Sequence, residues 1–211
     1  MNSVIDSLII LILTTNLMLL ASSRLGACIN ILAFQGIIIG LLPLMGVAGG
    51  SFDLEAGLIS CLIIAVKGFV FPGLLKYTIR TVNVRKEVEP YVGYTSSILI
   101  GVIALALASI LCRNIVFPVT PLTAMAPIIG VFSIFCGLFI IVSRIKAVTQ
   151  VMGYIVFENG IYLVGTALAL KQAFIVELGI MLDVIVVVFI MGIMMFHINR
   201  EFDHIDTNNL K

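Results

Sequence analysis

Charge is what this chain has least of. Only 11% of its 211 residues are Asp, Glu, Lys or Arg, and 12 cations against 11 anions leave a formal net charge of +1. With no basic tract and no acidic tail, nucleic acid is excluded as a partner. Histidine occurs twice, as His197 at a helix end and His204 in a polar tail, positions that solvation at a membrane surface explains. The cysteines Cys28, Cys61, Cys112 and Cys136 stand singly in or at the ends of apolar segments, with no C-x-x-C pair and no His at ligand spacing. They read as packing residues. Such an inventory builds no iron–sulfur, haem or zinc site, so neither a cofactor nor a metal is expected in this chain. H-E-x-x-H, G-x-S-x-G and clustered Asp motifs are also missing, which argues against a membrane-embedded enzyme. The opening MNSVID lacks a basic n-region and no cleavage site follows, so the first apolar run is expected to be retained as a span.

What is there is apolar. Hydrophobic residues make up 61% of the chain and the mean hydropathy is +1.24, which predicts an all-α integral membrane protein. Seven runs are long enough to cross roughly 30 Å of hydrocarbon at about 1.5 Å per residue. They are approximately Val4 to Ser22, Leu25 to Val47, Leu54 to Tyr77, Val92 to Leu111, Thr123 to Val142, Gln150 to Leu170 and Ala173 to His197. The chain is expected to be a single transmembrane domain. Helices 1–3 fall in residues 1–80, a charged loop and helix 4 in 81–122, helices 5–7 in 123–197, and a tail in 198–211. Arg24, Lys76, Arg80, Arg85, Lys86, Arg144, Lys146, Arg200 and Lys211 follow odd-numbered helices, whereas Arg113 and Lys171 lie on the opposite side. The positive-inside rule then places the N-terminus outside and the C-terminus in the cytoplasm of a prokaryotic inner membrane.

Three charges stand out because they sit inside apolar runs. In the sixth run Gln150, Tyr154, Glu158 and Tyr162 recur every four residues, a slowly drifting polar stripe that Gly153 and Asn159 widen. A mid-membrane carboxylate costs several kcal/mol unless it meets protein, water or a partner. Glu158 therefore reads either as a proton or ion site or as a neutral acid bonded to a neighbouring helix. Lys67 lies near the middle of the third run beside Gly68, and Pro72 cannot donate to the Gly68 carbonyl, which predicts a kink next to a buried ammonium. The alternative for Lys67 is snorkelling, although it is far from both ends of its run. Asp183 falls near the middle of the last run and at a depth similar to Lys67 and Glu158, while Glu177 lies closer to the outer face and suits an interfacial helix start.

A faint internal repeat is visible. Ser23-Arg24 followed by Phe34-Gln35-Gly36-Ile37 and Gly40 is echoed by Ser143-Arg144 followed by Phe157-Glu158-Asn159-Gly160-Ile161 and Gly165. Helices 1–3 and 5–7 are expected as parallel copies about helix 4, with Gln35 standing where Glu158 stands.

The last three runs resemble the three-helix K subunit of respiratory complex I and the C subunit of multisubunit cation/proton antiporters. That resemblance rests on the basic turn of Arg144 and Lys146, the helix from Gly153 to Asn159, the mid-membrane Asp183 and the polar tail. The acid on the middle helix of the complex I subunit precedes the Asn by four residues, where this chain has Ile155; here the acid is Glu158, adjacent to Asn159. The whole chain more closely resembles the hydrogenase-4 component E family, through Lys67-Gly68 with Pro72, Gly153-Tyr154, Glu158-Asn159-Gly160, the segment from Glu177 to Asp183 and the tail Asp206-Thr207-Asn208-Asn209-Leu210. The resemblance implies a non-catalytic membrane subunit of a proton-translocating, complex I-related hydrogenase. Its implied partners are large antiporter-like membrane subunits and a soluble hydrogenase arm carrying nickel–iron and iron–sulfur centres. Glu158, Asp183, Lys67, Glu177, Tyr154, Asn159 and Gln35 are then the expected proton-path residues. Other readings are a subunit of a multisubunit cation/proton antiporter, a free-standing secondary transporter with a midplane site between the repeats, and a scaffold whose polar groups only bond helices together.

Overall fold

Long apolar runs removed from water can satisfy their own amides only by coiling into helices, and every regular element among the described residues is helical. The computed structural model describes residues 2–46, 54–81, 91–113, 115, 125–168, 179, 183 and 186–193. Helix α1 (Asn2–Ala21) turns through residues 22–24 into α2 (Leu25–Gly46). A rod of three segments follows: α3 (Leu54–Ile63), a π-helical stretch (Ile64–Val70) and α4 (Phe71–Thr81). Then come α5 (Tyr94–Arg113), α6 (Met125–Ser143) and α7 (Ala147–Ala167). Residues 186–193 are helical, as are Gly179 and Asp183. Glu177, Lys171, His197, His204 and the C-terminal tail lie outside the described residues.

Five segments among the described residues are long and apolar enough to cross a membrane: Val4–Ala21, Leu25–Leu44, Ala56–Arg80, Tyr94–Arg113 and Met125–Ser143. Helix α7 matches them in length, at 21 residues, but Gln150, Glu158 and Asn159 make it more polar than any of the five. It is also enclosed, with Val148, Gly153, Glu158, Asn159, Tyr162 and Gly165 among its buried residues.

Glycines decide how closely the helices approach. A Cβ at Gly160 would lie 2.6 Å from the Ile134 nitrogen and 2.7 Å from the Gly130 carbonyl oxygen, and one at Gly153 would lie 2.9 Å from the Gly137 oxygen. Gly130 and Gly137 on α6 recur about two turns apart, as do Gly153 and Gly160 on α7, so two flat stripes meet backbone to backbone. The result is the most extensive helix pair among the described residues. Around it, α1 packs on α6, α5 and α2, and α2 reaches the π-helical stretch, α3, α4 and α7.

The buried side chains fall into two apolar clusters. One contains Leu19, Leu20, Ile29, Leu32, Phe132, Ile140, Met152 and Val156. The other contains Ile5, Ile9, Ile12, Ile39, Ala126, Ile129 and Leu163. On α1, α2 and α7 buried polar residues fall between these two sets in sequence, Thr15 with Asn16, Gln35, and Glu158 with Asn159, and on α6 the buried Ser133 follows Phe132 next to the same boundary. A polar layer thus crosses the bundle between two apolar halves.

One end of the bundle is pinned by Arg144, which is only 2% exposed. Its Nη2 donates to the Leu20 carbonyl at 3.0 Å and its guanidinium sits over the Tyr94 ring, 5.4 Å from the centroid. The turn after α1 and the turn after α6 are therefore at the same end of the bundle, and the Tyr91 amide donates to the Ser143 carbonyl beside them at 2.8 Å. Cys28, Cys112 and Cys136 are buried in packing positions, whereas Cys61 is exposed.

Candidate functional site

The site begins with a change of helical register. The loss of an amide at Pro72 predicts a kink; instead the chain widens its turns from Ile64 to Val70, and the Phe71 amide reaches back to the Val66 carbonyl. A π-helical turn accommodates a missing donor by bonding one residue further back, and such turns recur at functional positions. Here it carries Lys67 and Gly68 into the interior, both buried, against α2. Gly36 permits that approach: a Cβ there would lie 2.7 Å from the Lys67 carbonyl carbon and oxygen.

Lys67 does not snorkel. Its side chain is 6% exposed, and Nζ donates to Glu158 Oε1 at 2.5 Å and to Asn159 Oδ1 at 3.2 Å. Glu158 is 2% exposed. Desolvating two opposite charges is offset only by close geometry and further hydrogen bonds, and removing one partner from such a pair costs about 3–5 kcal/mol.

From the ammonium the bonds run in one direction. Asn159 Nδ2 donates to Gln35 Oε1 at 3.2 Å, and Gln35 Nε2 donates to Asn16 Oδ1 at 2.8 Å and to Thr15 Oγ1 at 3.2 Å. Asn16 Nδ2 donates to Ser133 Oγ at 2.7 Å, and Ser133 donates to the Ile129 carbonyl at 2.7 Å. Every amide in this arm points its donor away from Lys67, so each dipole is oriented by the charge at the start. Amides do not pass protons on readily; chemically the arm holds Asn159 in place.

Protonic groups lie on the other side of Glu158. Asp183, partly buried, lies within electrostatic reach of Glu158 and Lys67. Gly179, one turn earlier, faces the same carboxyl group: a Cβ there would stand in ordinary contact with Glu158 Oε1, at 4.0 Å. Glu158 Oε2 and Asp183 Oδ1 are buried with no hydrogen-bond partner among the described residues. Tyr154, one turn before Glu158, is within electrostatic reach of both carboxyl groups and is tilted against Phe157 at 6.0 Å. It also lines a mostly apolar cavity of about 260 Å³ between α6, α7 and residues 186–193, whose walls include Gln150, Ile141, Val186 and Phe189.

Of the residues expected from sequence, Lys67, Glu158, Asn159 and Gln35 meet in direct contact, Asp183 and Tyr154 flank them, and Glu177 lies outside the described residues. Asn16, Thr15 and Ser133 were not anticipated. The signal for the first two was the polar run Thr14-Thr15-Asn16 in the middle of an otherwise apolar helix.

Comparison with known proteins gives partial similarities. An uncharacterized protein of Mycobacterium tuberculosis is 28% identical over 191 residues, 89% of this chain and 85% of that protein. Hydrogenase-4 component E of Escherichia coli is 37% identical over 111 residues, half of this chain and half of that protein. This chain is similar to hydrogenase-4 component E. The protein of that name from Shigella flexneri matches to the same extent, and the matched stretch spans about half the length of each hydrogenase-4 component. No family model matches the chain, and no solved structure does.

Proposed function

We propose that this chain is a non-redox membrane subunit of a proton-translocating, complex I-related membrane-bound hydrogenase of the hydrogenase-4 type. The observation that carries the reading is the Lys67–Glu158 ion pair, 2.5 Å long and buried within a polar layer; the similarity to hydrogenase-4 component E supplies its context. In this reading the chain crosses the membrane seven times, α7 and the segment through Asp183 joining the five apolar spans. Its N-terminus is outside and its C-terminus cytoplasmic. The last three spans form a K-subunit-like unit, and spans one to three and five to seven, counted along the sequence, are parallel copies in which Gln35 answers to Glu158. Large antiporter-like subunits lie beside it in the bilayer. The nickel–iron and iron–sulfur chemistry belongs to a soluble arm made by other chains.

The chemistry of the cluster is charge exchange. One ammonium faces two carboxyl groups, so at low dielectric the cluster is neutral only with one proton held between Glu158 and Asp183. Movement of charge in a neighbouring subunit shifts that balance, and the proton leaves or returns past Tyr154. The amide arm through Asn159, Gln35 and Asn16 keeps Lys67 directed at Glu158 throughout the cycle.

Glu158→Gln tests this reading. It preserves shape and hydrogen bonding but cannot titrate. Proton uptake into vesicles per hydrogen turned over, normalised to assembled complex, should fall by roughly tenfold or more. A wild-type ratio in an assembled Glu158→Gln complex would leave the scaffold reading in its place.

A further inference from the structure

We propose that Lys67 is the selectivity element of this site: its ammonium occupies the position in which an alkali cation would otherwise sit among the oxygens of Glu158, Asn159 and Asp183. The proposal rests on the translocation reading above and names what that site refuses. The geometry supports it in three ways.

First, the atoms around Nζ are those that would hold a hard cation. Glu158 Oε1 and Asn159 Oδ1 both point at Nζ, at 2.5 Å and 3.2 Å, and carboxylate and amide oxygens are the ligands that hard cations choose. Second, two more oxygens of this charge cluster are buried with no partner among the described residues: Glu158 Oε2, on a side chain 2% exposed, and Asp183 Oδ1. Third, the resident ammonium is tethered. Lys67 rises from a π-helical stretch wedged against Gly36, and Asn159 is held by Gln35, which Asn16 and Thr15 hold in turn. A mobile ion entering the cluster would have to displace a cation covalently attached to the helix. A proton needs no such vacancy, since it adds to a carboxyl oxygen that lacks a donor.

The consequence is a gain of function on removing the ammonium. Lys67→Met leaves the carboxyl groups without their counter-charge in an oxygen-lined space, and sodium relieves that charge. The full-length chain, purified in mild detergent, is heated in sodium chloride and in choline chloride at equal ionic strength. The wild type and Lys67→Arg, which keep a cation in place, should unfold at the same temperature in both salts. Lys67→Met should unfold roughly 3 °C or more higher in sodium, saturably with concentration. Adding Glu158→Gln to Lys67→Met should abolish the difference and so locate the ion.

Sodium stabilisation of the wild type would overturn the proposal, as would a folded Lys67→Met chain indifferent to sodium. A second measurement covers a variant that fails to fold: in the assembled wild-type complex, proton uptake per hydrogen turned over should be equal in sodium and choline, and stimulation by sodium would refute selectivity directly. The two readings fail separately. If Glu158→Gln leaves coupling intact while Lys67→Met gains sodium binding, the cation site stands and translocation through it falls.

Discussion

Gly36 and Lys67 meet backbone to backbone, so closely that a Cβ on the glycine would lie 2.7 Å from the lysine carbonyl. That contact fixes the depth at which the π-helical stretch presents its ammonium to Glu158. Gly36→Ala should separate the two helices, cost about 1–3 kcal/mol of stability through overpacking, and lower proton coupling along with it. Gly73→Ala, on the same rod but with nothing within 4 Å of its would-be Cβ, should change stability by no more than about 0.5 kcal/mol. Thermal unfolding of both variants in detergent checks the contrast, and equal midpoints would remove Gly36 from the argument.

How much of this arrangement was legible in the sequence depends on the kind of residue. Lys67 and Glu158 declared themselves because a charge inside an apolar run has few inexpensive explanations. Their pairing did not, since the two residues are 91 positions apart and nothing local encodes the partner. Pro72 signalled a broken hydrogen bond but not that the chain would widen into π-helical turns, because both kink and widening satisfy the same missing amide. Asn16 and Ser133 escaped notice because neutral amides and hydroxyls are tolerated in membrane helices without any special role. The polar layer exists only once four helices are brought into register, and the glycine stripes of α6 and α7 set half of that register.

The amide arm should be energetically coupled. Asn16 joins Gln35 to Ser133, so Asn16→Leu and Ser133→Ala each break the same bond. A double-mutant cycle on unfolding free energy should give an interaction of about 0.6–1.7 kcal/mol. Strict additivity would show that the arm is a coincidence of side chains.

Arg144 and lysine are not interchangeable at the end of the bundle. Arginine reaches the Leu20 carbonyl and lies over Tyr94 at once, a combination of planar fork and stacking that an ammonium cannot reproduce. Arg144→Lys should lower stability by about 1–3 kcal/mol without altering the sodium response of the cluster, which is built from other residues. An unchanged midpoint would mean that the guanidinium contributes nothing to holding the two turns together.

Orientation can be read from two exposed positions. Ser23 lies in the turn that Arg144 ties to the α6–α7 turn, and Ile115 follows the end of α5. In a background lacking the native cysteines, an impermeant thiol reagent applied outside cells should label Ile115→Cys and spare Ser23→Cys. The reverse pattern would invert the proposed topology.

The enclosed, polar character of α7 has a consequence for how the protein is made. A segment carrying Gln150, Glu158 and Asn159 gains little by leaving the insertion machinery for lipid on its own. Its glycine stripe is matched to that of α6, which emerges from the ribosome just before it and is among the apolar spans. In the proposed seven-span arrangement the two helices would enter the bilayer as one hairpin, α6 providing the lipid-compatible surface and α7 the polar cargo. Maturation of the site would then follow the order of synthesis in that arrangement, because the Lys67 that pairs with Glu158 precedes it by 91 positions and would be in the membrane first.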